Sequence, residues 1–186
     1  HGLRPLQAPE VESPYTDGSL FHGPVFQLQE SLRMGNNGSS ALLRVTRAID
    51  SHWDTALLDA ATHGIPHDSL HQWSPDIPKD VVAYPAFIPE FKVHSAPPRI
   101  GTQIRCEVRF DGFHVTKQLP RFRVQLIAEG GHVWCTFVLV ESLFPKGPLG
   151  SFEKQGRQSF LRDRSFVPGL ALSKAGVVKE EDIARS

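Results

Sequence analysis

One apolar stretch limits what this chain can fold into: Ala-Leu-Leu-Asp-Ala-Ala-Thr-His, residues 56–63, with a single carboxylate at its centre. Residues four apart lie on the same face of an α-helix, so Asp59 and His63 are predicted to be neighbours one turn apart. Apolar residues surround Asp59 on nearly every other side, and a helix of that kind is usually buried. Ser51 is a suitable N-cap and Gly64 a suitable C-terminal stop. The sequence therefore predicts one buried helix from about Ser51 to His63.

The carboxylate of Asp59 must find a partner in such a helix or keep its proton, because burying a lone charge is expensive. Burial is therefore expected to raise the pKa of Asp59, which would suit a general acid working near neutral pH. The alternative is structural: an Asp59–His63 pair on the helix surface, or a core carboxylate whose hydrogen bonds are satisfied. Spacing alone leaves both interpretations open.

Most of the remaining sequence has the period of two that is typical of β-strands. Between Gln103 and Asp111, apolar side chains at even positions alternate with charged side chains at odd positions. A turn signal at 34–38, Met-Gly-Asn-Asn-Gly, predicts a hairpin before the helix. The predicted strands span residues 20–28, 41–45, 81–94, 103–111, 122–128 and 133–140. Pro85 and Pro89 indicate bends in the third of these strands or an edge position in the sheet. An antiparallel sheet curling around one helix would bury both elements, so we predict an α+β fold of that architecture.

The charge of the chain argues against a general nucleic-acid-binding protein. Its 186 residues carry 20 Lys and Arg against 20 Asp and Glu, so the formal net charge is zero, whereas nucleic-acid binders normally carry a basic surface. The two cysteines, Cys106 and Cys135, are too few for a disulfide framework or a typical structural zinc site. Reduced thiols and a cytoplasmic location are predicted. No apolar run approaches the roughly 20 residues that span a bilayer.

Proline-rich and polar composition at the two ends predicts a division into three parts. Residues 1–18 are predicted to form an arm or linker, residues 19–145 the folded domain, and residues 146–186 a C-terminal extension. A short final helix near 180–184 is a further prediction for this extension.

Three histidines, beginning with the last residue of the predicted helix, have the spacing of one helical face: His63, His67 and His71. Such a row could ligate a metal ion, but Gly64 and Pro66 interrupt any helix there, and no carboxylate cluster accompanies the histidines. We therefore expect no metal.

Two motifs in this order resemble the C-terminal half of a polyketide synthase-type dehydratase domain. That half carries a Tyr-Gly-Pro-x-Phe motif; here His22 replaces the tyrosine, while Gly23, Pro24 and Phe26 match. It also carries an Asp-x-x-x-Gln/His motif on its helix, which residues 59–63 match. The resemblance covers about residues 20–144, in which Tyr84-Pro85 stands where the family has Leu-Pro, with only the proline shared. It implies a hotdog fold, in which an antiparallel sheet wraps around one central helix.

By this resemblance, Asp59 would hydrogen-bond and protonate the 3-hydroxyl of a 3-hydroxyacyl thioester, and His63 would hold Asp59 or the substrate in place. Substrate would contact His22, Gly23, Pro24 and Phe26, together with Tyr84 and Pro85, although Gly23-Pro24 could also be a simple strand entry. Asp59 is expected in a groove bordered by residues 21–27 and mostly shielded from water.

The family's catalytic base is a histidine in the other, N-terminal hotdog, in a His-x-x-x-Gly-x-x-x-x-Pro motif. None of the nine histidines here has a glycine four residues later. The resemblance therefore implies half of a dehydratase: the acid Asp59 is present, and the base comes from an N-terminal hotdog. The isolated chain is expected to be inactive or nearly so.

Two other functions remain open: a catalytically idle hotdog that serves structure or dimerisation in a megasynthase, and a hotdog thioesterase. For the dehydratase, the implied partner is an acyl carrier protein whose phosphopantetheine carries the substrate, with no other cofactor. A lone hotdog would also expose a sheet edge, so we expect pairing with an N-terminal hotdog or with a second copy of this chain. Alternatively, the arm at residues 1–18 or the tail after Pro145 could cover that edge.

Overall fold

The computed structural model of the protein describes residues 2–16, 19–20, 22–46 and 55–146, together with the backbone of 171–173 and 176–178. The chain divides into two compact units, His1–Pro145 and Lys146–Ser186. The second unit contains a small antiparallel hairpin of β8 (Ala171–Ser173) and β9 (Gly176–Val178). The helix predicted near 180–184 lies outside the described residues, and the boundary proposed after residue 18 stays a prediction.

The first unit is built on a seven-stranded antiparallel sheet with the strand order β1-β2-β3-β5-β6-β7-β4. Its strands are β1 (Glu10–Val11), β2 (Gln29–Met34), β3 (Gly38–Arg44), β4 (Val81–Val93), β5 (Gln103–Phe113), β6 (Pro120–Ile127) and β7 (Val133–Pro145). The four strands predicted in the second half of the domain and their antiparallel pairing are confirmed.

Strand β5 shows why the period of two predicts the sheet. Ile104, Cys106 and Val108 are buried on one face, and Cys106 Sγ donates to the backbone oxygen of Ala61, 3.3 Å away, just after the helix. The charged residues of β5 lie on the opposite, outer face. Strand β5 thus turns its apolar side toward the helix, as alternation predicts.

The hairpin before the helix is confirmed, but its first strand begins later than predicted. The described residues of the range 20–28 do not form a strand: Pro24–Phe26 form a 3₁₀ turn, closed by a hydrogen bond of 2.9 Å from Phe26 N to Gly23 O. Proline fixes φ near the value a helical turn needs, and its missing N–H is not required at the start of a turn. The strand therefore begins after the turn, at Gln29. Phe21 lies outside the described residues.

The described part of the helix, α1, spans Thr55–Ala60; the cap predicted at Ser51 lies in a range that is not described. Ala56, Leu57 and Ala60 are buried, whereas Leu58 and Asp59 are half-buried. The prediction that the whole circumference is buried is therefore wrong: one side of α1 faces solvent. After Ala60 the backbone tightens, and His63 N donates to Ala60 O at 3.2 Å, three residues back instead of four.

Gly64 follows this tightened turn at a point where the chain passes close to β3. A Cβ atom at Gly64 would lie 2.5 Å from Ser39 Oγ, so a larger residue there would require the Ser39 side chain to move. The end of the helix region is thereby fixed against the sheet, which sets the position of His63.

The two edges of the sheet differ. At one edge, the two-residue β1 pairs with β2. At the other, β4 pairs only with β7, and large apolar side chains are exposed along it, among them Tyr84, Phe87 and Ile88. Pro85 lies within β4, as the prediction of an edge strand requires. Strand β4 is thus a long and apolar open edge in the described part of the chain.

The N-terminal arm packs on the outer face of the sheet. Leu3 N donates to Gln125 Oε1 at 2.8 Å, and Arg105 donates to the backbone oxygen of Leu3 at 3.0 Å. Leu6 N donates to Glu107 Oε2 at 3.3 Å. The first residues of the chain are therefore bound to β5 and β6.

Cys106 and Cys135 are free and buried, as predicted for reduced thiols. Burial raises the pKa of both thiols, that of Cys135 to about 12. Neither thiol is therefore reactive at neutral pH. No helix in the described ranges is long and apolar enough to span a bilayer.

Candidate active site

The predicted contact between Asp59 and His63 is present. His63 Nε2 lies 3.0 Å from Asp59 Oδ2, which is a hydrogen bond between residues four apart. The His63 side chain is only 1% exposed, whereas that of Asp59 is 38% exposed. The helix spacing therefore places Asp59 at the surface, where the buried imidazole of His63 binds its carboxylate from the protein interior.

Tyr15 holds the other side of His63. Tyr15 Oη lies 2.7 Å from His63 Nδ1, and the two rings meet edge-on with centroids 5.5 Å apart. Burial raises the pKa of Tyr15 to about 12, so the phenol keeps its proton at neutral pH. When His63 is neutral, Tyr15 donates to Nδ1 and His63 donates from Nε2 to Asp59. When His63 is protonated, Tyr15 accepts from Nδ1 and turns its proton toward Phe26 O at 3.4 Å.

Tyr15 is not among the residues that the sequence predicts for the site. It lies 48 residues before His63, in a stretch whose composition predicts an arm, and no local pattern connects the two residues.

His22 completes the cluster from a third part of the chain. Its Nε2 lies 3.4 Å from Asp59 Oδ2, and its ring centroid is 4.3 Å from that of His63. Burial lowers the pKa of His22, and the neighbouring His63 lowers it further against the attraction of Asp59. His22 is therefore neutral at pH 7. Its Nδ1 is buried and has no hydrogen-bond partner among the described residues.

The prediction of a raised pKa for Asp59 is wrong. Burial does raise it, but the hydrogen bond from His63 and the charges of His63, His22 and His67 outweigh burial, so the pKa of Asp59 is lowered. Asp59 is also half-buried instead of mostly shielded. Residues 22–26 do border it, through His22, as a turn and not as a strand.

The candidate substrate-binding residues fall into two groups. Gly23, Pro24 and Phe26 follow His22 directly and are exposed, so they form an open surface beside Asp59. The ring of Phe26 lies edge-on to that of His22 at 6.2 Å. Tyr84 and Pro85 lie on the open edge strand β4, and no contact described in the structure joins them to Asp59. Tyr84 packs against Phe144, with centroids 5.9 Å apart.

A buried ion pair lies between these two groups. His67 Nδ1 is 3.1 Å from Glu141 Oε1, and the Glu141 side chain is fully buried. Burial lowers the pKa of His67, but the charge and hydrogen bond of Glu141 outweigh it, so the pKa of His67 is raised. Glu141 pairs with Pro85 across the β4–β7 ladder. No role is predicted for Glu141 from the sequence, because it lies just beyond the apolar run 133–140 that predicts the strand.

We expect Glu141→Gln to destabilise the protein by about 1–3 kcal/mol at pH 6, because protonated His67 loses its buried carboxylate. The folded-state pKa of His67 lies above its unfolded value, so this stabilisation is present below about pH 6.5 and is lost as pH rises through the folded pKa. Urea unfolding at pH 6 and pH 9 measures both values. Glu129→Gln, at an exposed turn, is the control. An equal loss at both pH values would contradict the assignment.

The solved structures that this fold resembles include polyketide synthase dehydratase domains. The dehydratase domain from the CurJ module of curacin polyketide synthase is 14% identical, with a TM-score of 0.55 over 74% of this chain and 50% of that one. The dehydratase domain from the CurH module is 18% identical, with a TM-score of 0.56 over 75% of this chain and 50% of that one. The dehydratase domain of RzxB from Pseudomonas fluorescens is 14% identical, with a TM-score of 0.52 over 72% of this chain and 46% of that one.

This likeness shows the fold: the predicted hotdog architecture is confirmed. The chain spans about half the length of these dehydratase domains. No protein-family model and no curated protein sequence matches the chain.

Proposed function

We propose that this chain is the acid-bearing hotdog of a dehydratase that eliminates water from 3-hydroxyacyl thioesters, with the base supplied by a second hotdog. The observation that carries the proposal is the contact of Asp59 with His63 beside the exposed turn at Gly23–Phe26. The likeness in fold to dehydratase domains supports the same reaction class.

The elimination needs a base for the C2 proton and an acid for the departing hydroxyl. Asp59 is the acid in this proposal. Without substrate, the pKa of Asp59 in the folded chain is lowered. Burial, which raises this pKa, is nevertheless the largest single influence on it. Substrate that covers the exposed part of Asp59 removes water and strengthens that influence, which favours the protonated form. Asp59 then donates its proton to the 3-hydroxyl, and water leaves.

His63 and Tyr15 are positioning residues in this reaction. His63 holds Asp59 Oδ2 at 3.0 Å, and Tyr15 fixes the imidazole from its other nitrogen at 2.7 Å. Because Tyr15 can donate or accept, the pair tolerates either protonation state of His63. Asp59 can therefore gain and lose its proton without leaving a buried nitrogen unpaired.

The turn after His22 is the proposed entry for the acyl chain. Gly23 and Pro24 are exposed next to the Asp59 cluster, and no described residue other than its chain neighbours lies within 4 Å of the position a Gly23 Cβ would take. Exposed Phe26 offers an apolar contact. The substrate class is a thioester carried on the phosphopantetheine of an acyl carrier protein, and no further cofactor is needed. The buried free thiols support a cytoplasmic location.

The test is an assay of the native gene product that contains this sequence, with a 3-hydroxyacyl thioester as substrate. We expect the enoyl thioester and water as products, followed by the absorbance of the conjugated thioester and by mass spectrometry. Release of the free acid would instead identify a thioesterase, and absence of any turnover would favour a structural hotdog.

The open edge strand β4 is the proposed contact for the second hotdog. Exposed Phe87 and Ile88 lie along it, and unpaired apolar edges are prone to pair with another strand. We expect the isolated chain to form a homodimer through this edge, and Ile88→Glu to weaken the dimer at least tenfold. Light scattering over a dilution series measures this, and Val11→Glu, on the opposite edge, is the matched control. A strictly monomeric mass at every concentration would rule the dimer out.

A further inference from the structure

Three side chains of the cluster carry atoms that ligate metals. His22, Asp59 and His63 each offer one such atom, and these atoms lie within 4.8 Å of one another. Two imidazoles and one carboxylate are a donor set that zinc and other divalent first-row transition metals accept.

The distances suit a tetrahedral ion. Zinc ligands at about 2.0–2.2 Å from the ion lie roughly 3.3–3.6 Å from one another in a tetrahedron. Asp59 Oδ2 is 3.0 Å from His63 Nε2 and 3.4 Å from His22 Nε2. The distance from Asp59 to His63 must therefore lengthen slightly, and the two imidazoles, whose ligand atoms lie within 4.8 Å of each other, must close to the tetrahedral distance. The His22 side chain, 29% exposed, lies just before the exposed turn Pro24–Phe26 and can supply that movement.

The surroundings of His63 are those of a metal ligand. A ligating histidine commonly donates its second ring N–H to an oxygen, which fixes the tautomer and the ring orientation. Tyr15 Oη lies 2.7 Å from His63 Nδ1 and can accept that hydrogen bond, while its own proton is directed to Phe26 O at 3.4 Å. With Nδ1 protonated, the lone pair of Nε2 points toward Asp59 Oδ2 and His22.

We propose that His22, Asp59 and His63 bind a divalent transition-metal ion of the zinc class, with the fourth position open toward solvent. The ion would take up Asp59 Oδ2, the atom that the proposed elimination uses. Metal binding and proton donation by Asp59 therefore exclude each other, and the metal acts as an inhibitor of the site. The inference goes beyond the proposed function and does not depend on it.

This set differs from the histidine row considered in the sequence. Of that row, His67 is engaged by Glu141 and only His63 belongs to the cluster. His22 takes the place of the other two, from a turn 41 positions earlier in the sequence. Because no local spacing connects a turn residue to this helix, the sequence could not indicate the set.

The test is a titration of the isolated chain with Zn²⁺ against a chromophoric chelator, and with Co²⁺ followed by visible absorption. We expect one equivalent to bind, with the intense bands of tetrahedral Co²⁺. His22→Phe and Asp59→Asn should each weaken binding at least 100-fold, and Tyr15→Phe about 10–100-fold. His132→Gln, an exposed histidine, is the control and should bind as the wild type does.

Folding is checked independently of the metal. The melting temperatures of the variants in chelator should lie near that of the wild type. Zn²⁺ should raise the melting temperature of the wild type and of His132→Gln equally, that of Tyr15→Phe less, and those of His22→Phe and Asp59→Asn least. Absence of stoichiometric binding, or binding that survives both His22→Phe and Asp59→Asn, would overturn the inference. Turnover measured in the presence of chelator tests the dehydratase proposal separately. A failure of the metal-site proposal can therefore be distinguished from a failure of the dehydratase proposal.

Discussion

Replacing Asp59 by Asn should lower the kcat/KM of the native gene product for a 3-hydroxyacyl thioester by about 10²–10⁴-fold, the usual contribution of a positioned general acid. Asparagine keeps the volume of Asp59 and can still accept a hydrogen bond from His63, but it has no proton to donate to the leaving hydroxyl. The loss should therefore appear in kcat, with KM changed little.

The matched control for that experiment is Asp76→Asn. Asp76 is an exposed carboxylate paired with Lys117 on the surface, so its loss removes one negative charge without touching the cluster. We expect this variant to keep wild-type turnover. If Asp59→Asn kept activity within about threefold of the wild type, Asp59 would not be the acid, since a general acid contributes far more.

Replacing Glu107 by Gln should destabilise the fold by about 3 kcal/mol, the lower end of the range for breaking a buried charge cluster. Glu107 is fully buried on the outer face of the sheet, where it accepts from Ser40 Oγ at 2.6 Å and from Arg105 and Arg109 at 2.8 Å each. It also accepts from Leu6 N at 3.3 Å. The two arginines are 22% exposed, so water relieves part of the cost.

The Glu107→Gln variant should also loosen the N-terminal arm, because the carboxylate is one of the groups that hold it. Denaturant unfolding gives the stability, and hydrogen exchange at Leu3 and Leu6 reports the arm. Glu90→Gln is the control: Glu90 forms an exposed pair with Lys92, and such pairs contribute little. A loss no larger than that of Glu90→Gln would show that the Glu107 cluster does not stabilise the fold.

The sheet could be predicted from the sequence because burying one face of a strand requires an apolar residue at every second position. In β5 every second residue packs toward the helix, so Ile104, Cys106 and Val108 alternate with charges. The contact between Asp59 and His63 could be predicted for the same kind of reason, since the helix fixes the distance between residues four apart.

What could not be predicted depends on contacts between distant parts of the chain. Tyr15 reaches His63 from the arm, and His22 reaches Asp59 from a turn, with no periodicity to connect either pair. The direction of the pKa of Asp59 was not predicted either: burial raises this pKa, but the hydrogen bond and charge of His63, together with the charges of His22 and His67, outweigh burial and lower it. The first strand of the hairpin begins later than its apolar residues predict, because those around Pro24 form a turn, where proline is favoured at the first position.

The central claim is that this chain carries the acid of a dehydratase and takes the base from another hotdog. The most direct measurement is the turnover of a 3-hydroxyacyl thioester by the isolated chain, beside the native gene product under the same conditions and in the presence of chelator. The account predicts turnover by the native gene product and none above background by the isolated chain. Turnover by the isolated chain that Asp59→Asn abolishes would contradict it, and would show that the base lies within these 186 residues, with His22 and His63 the first to test.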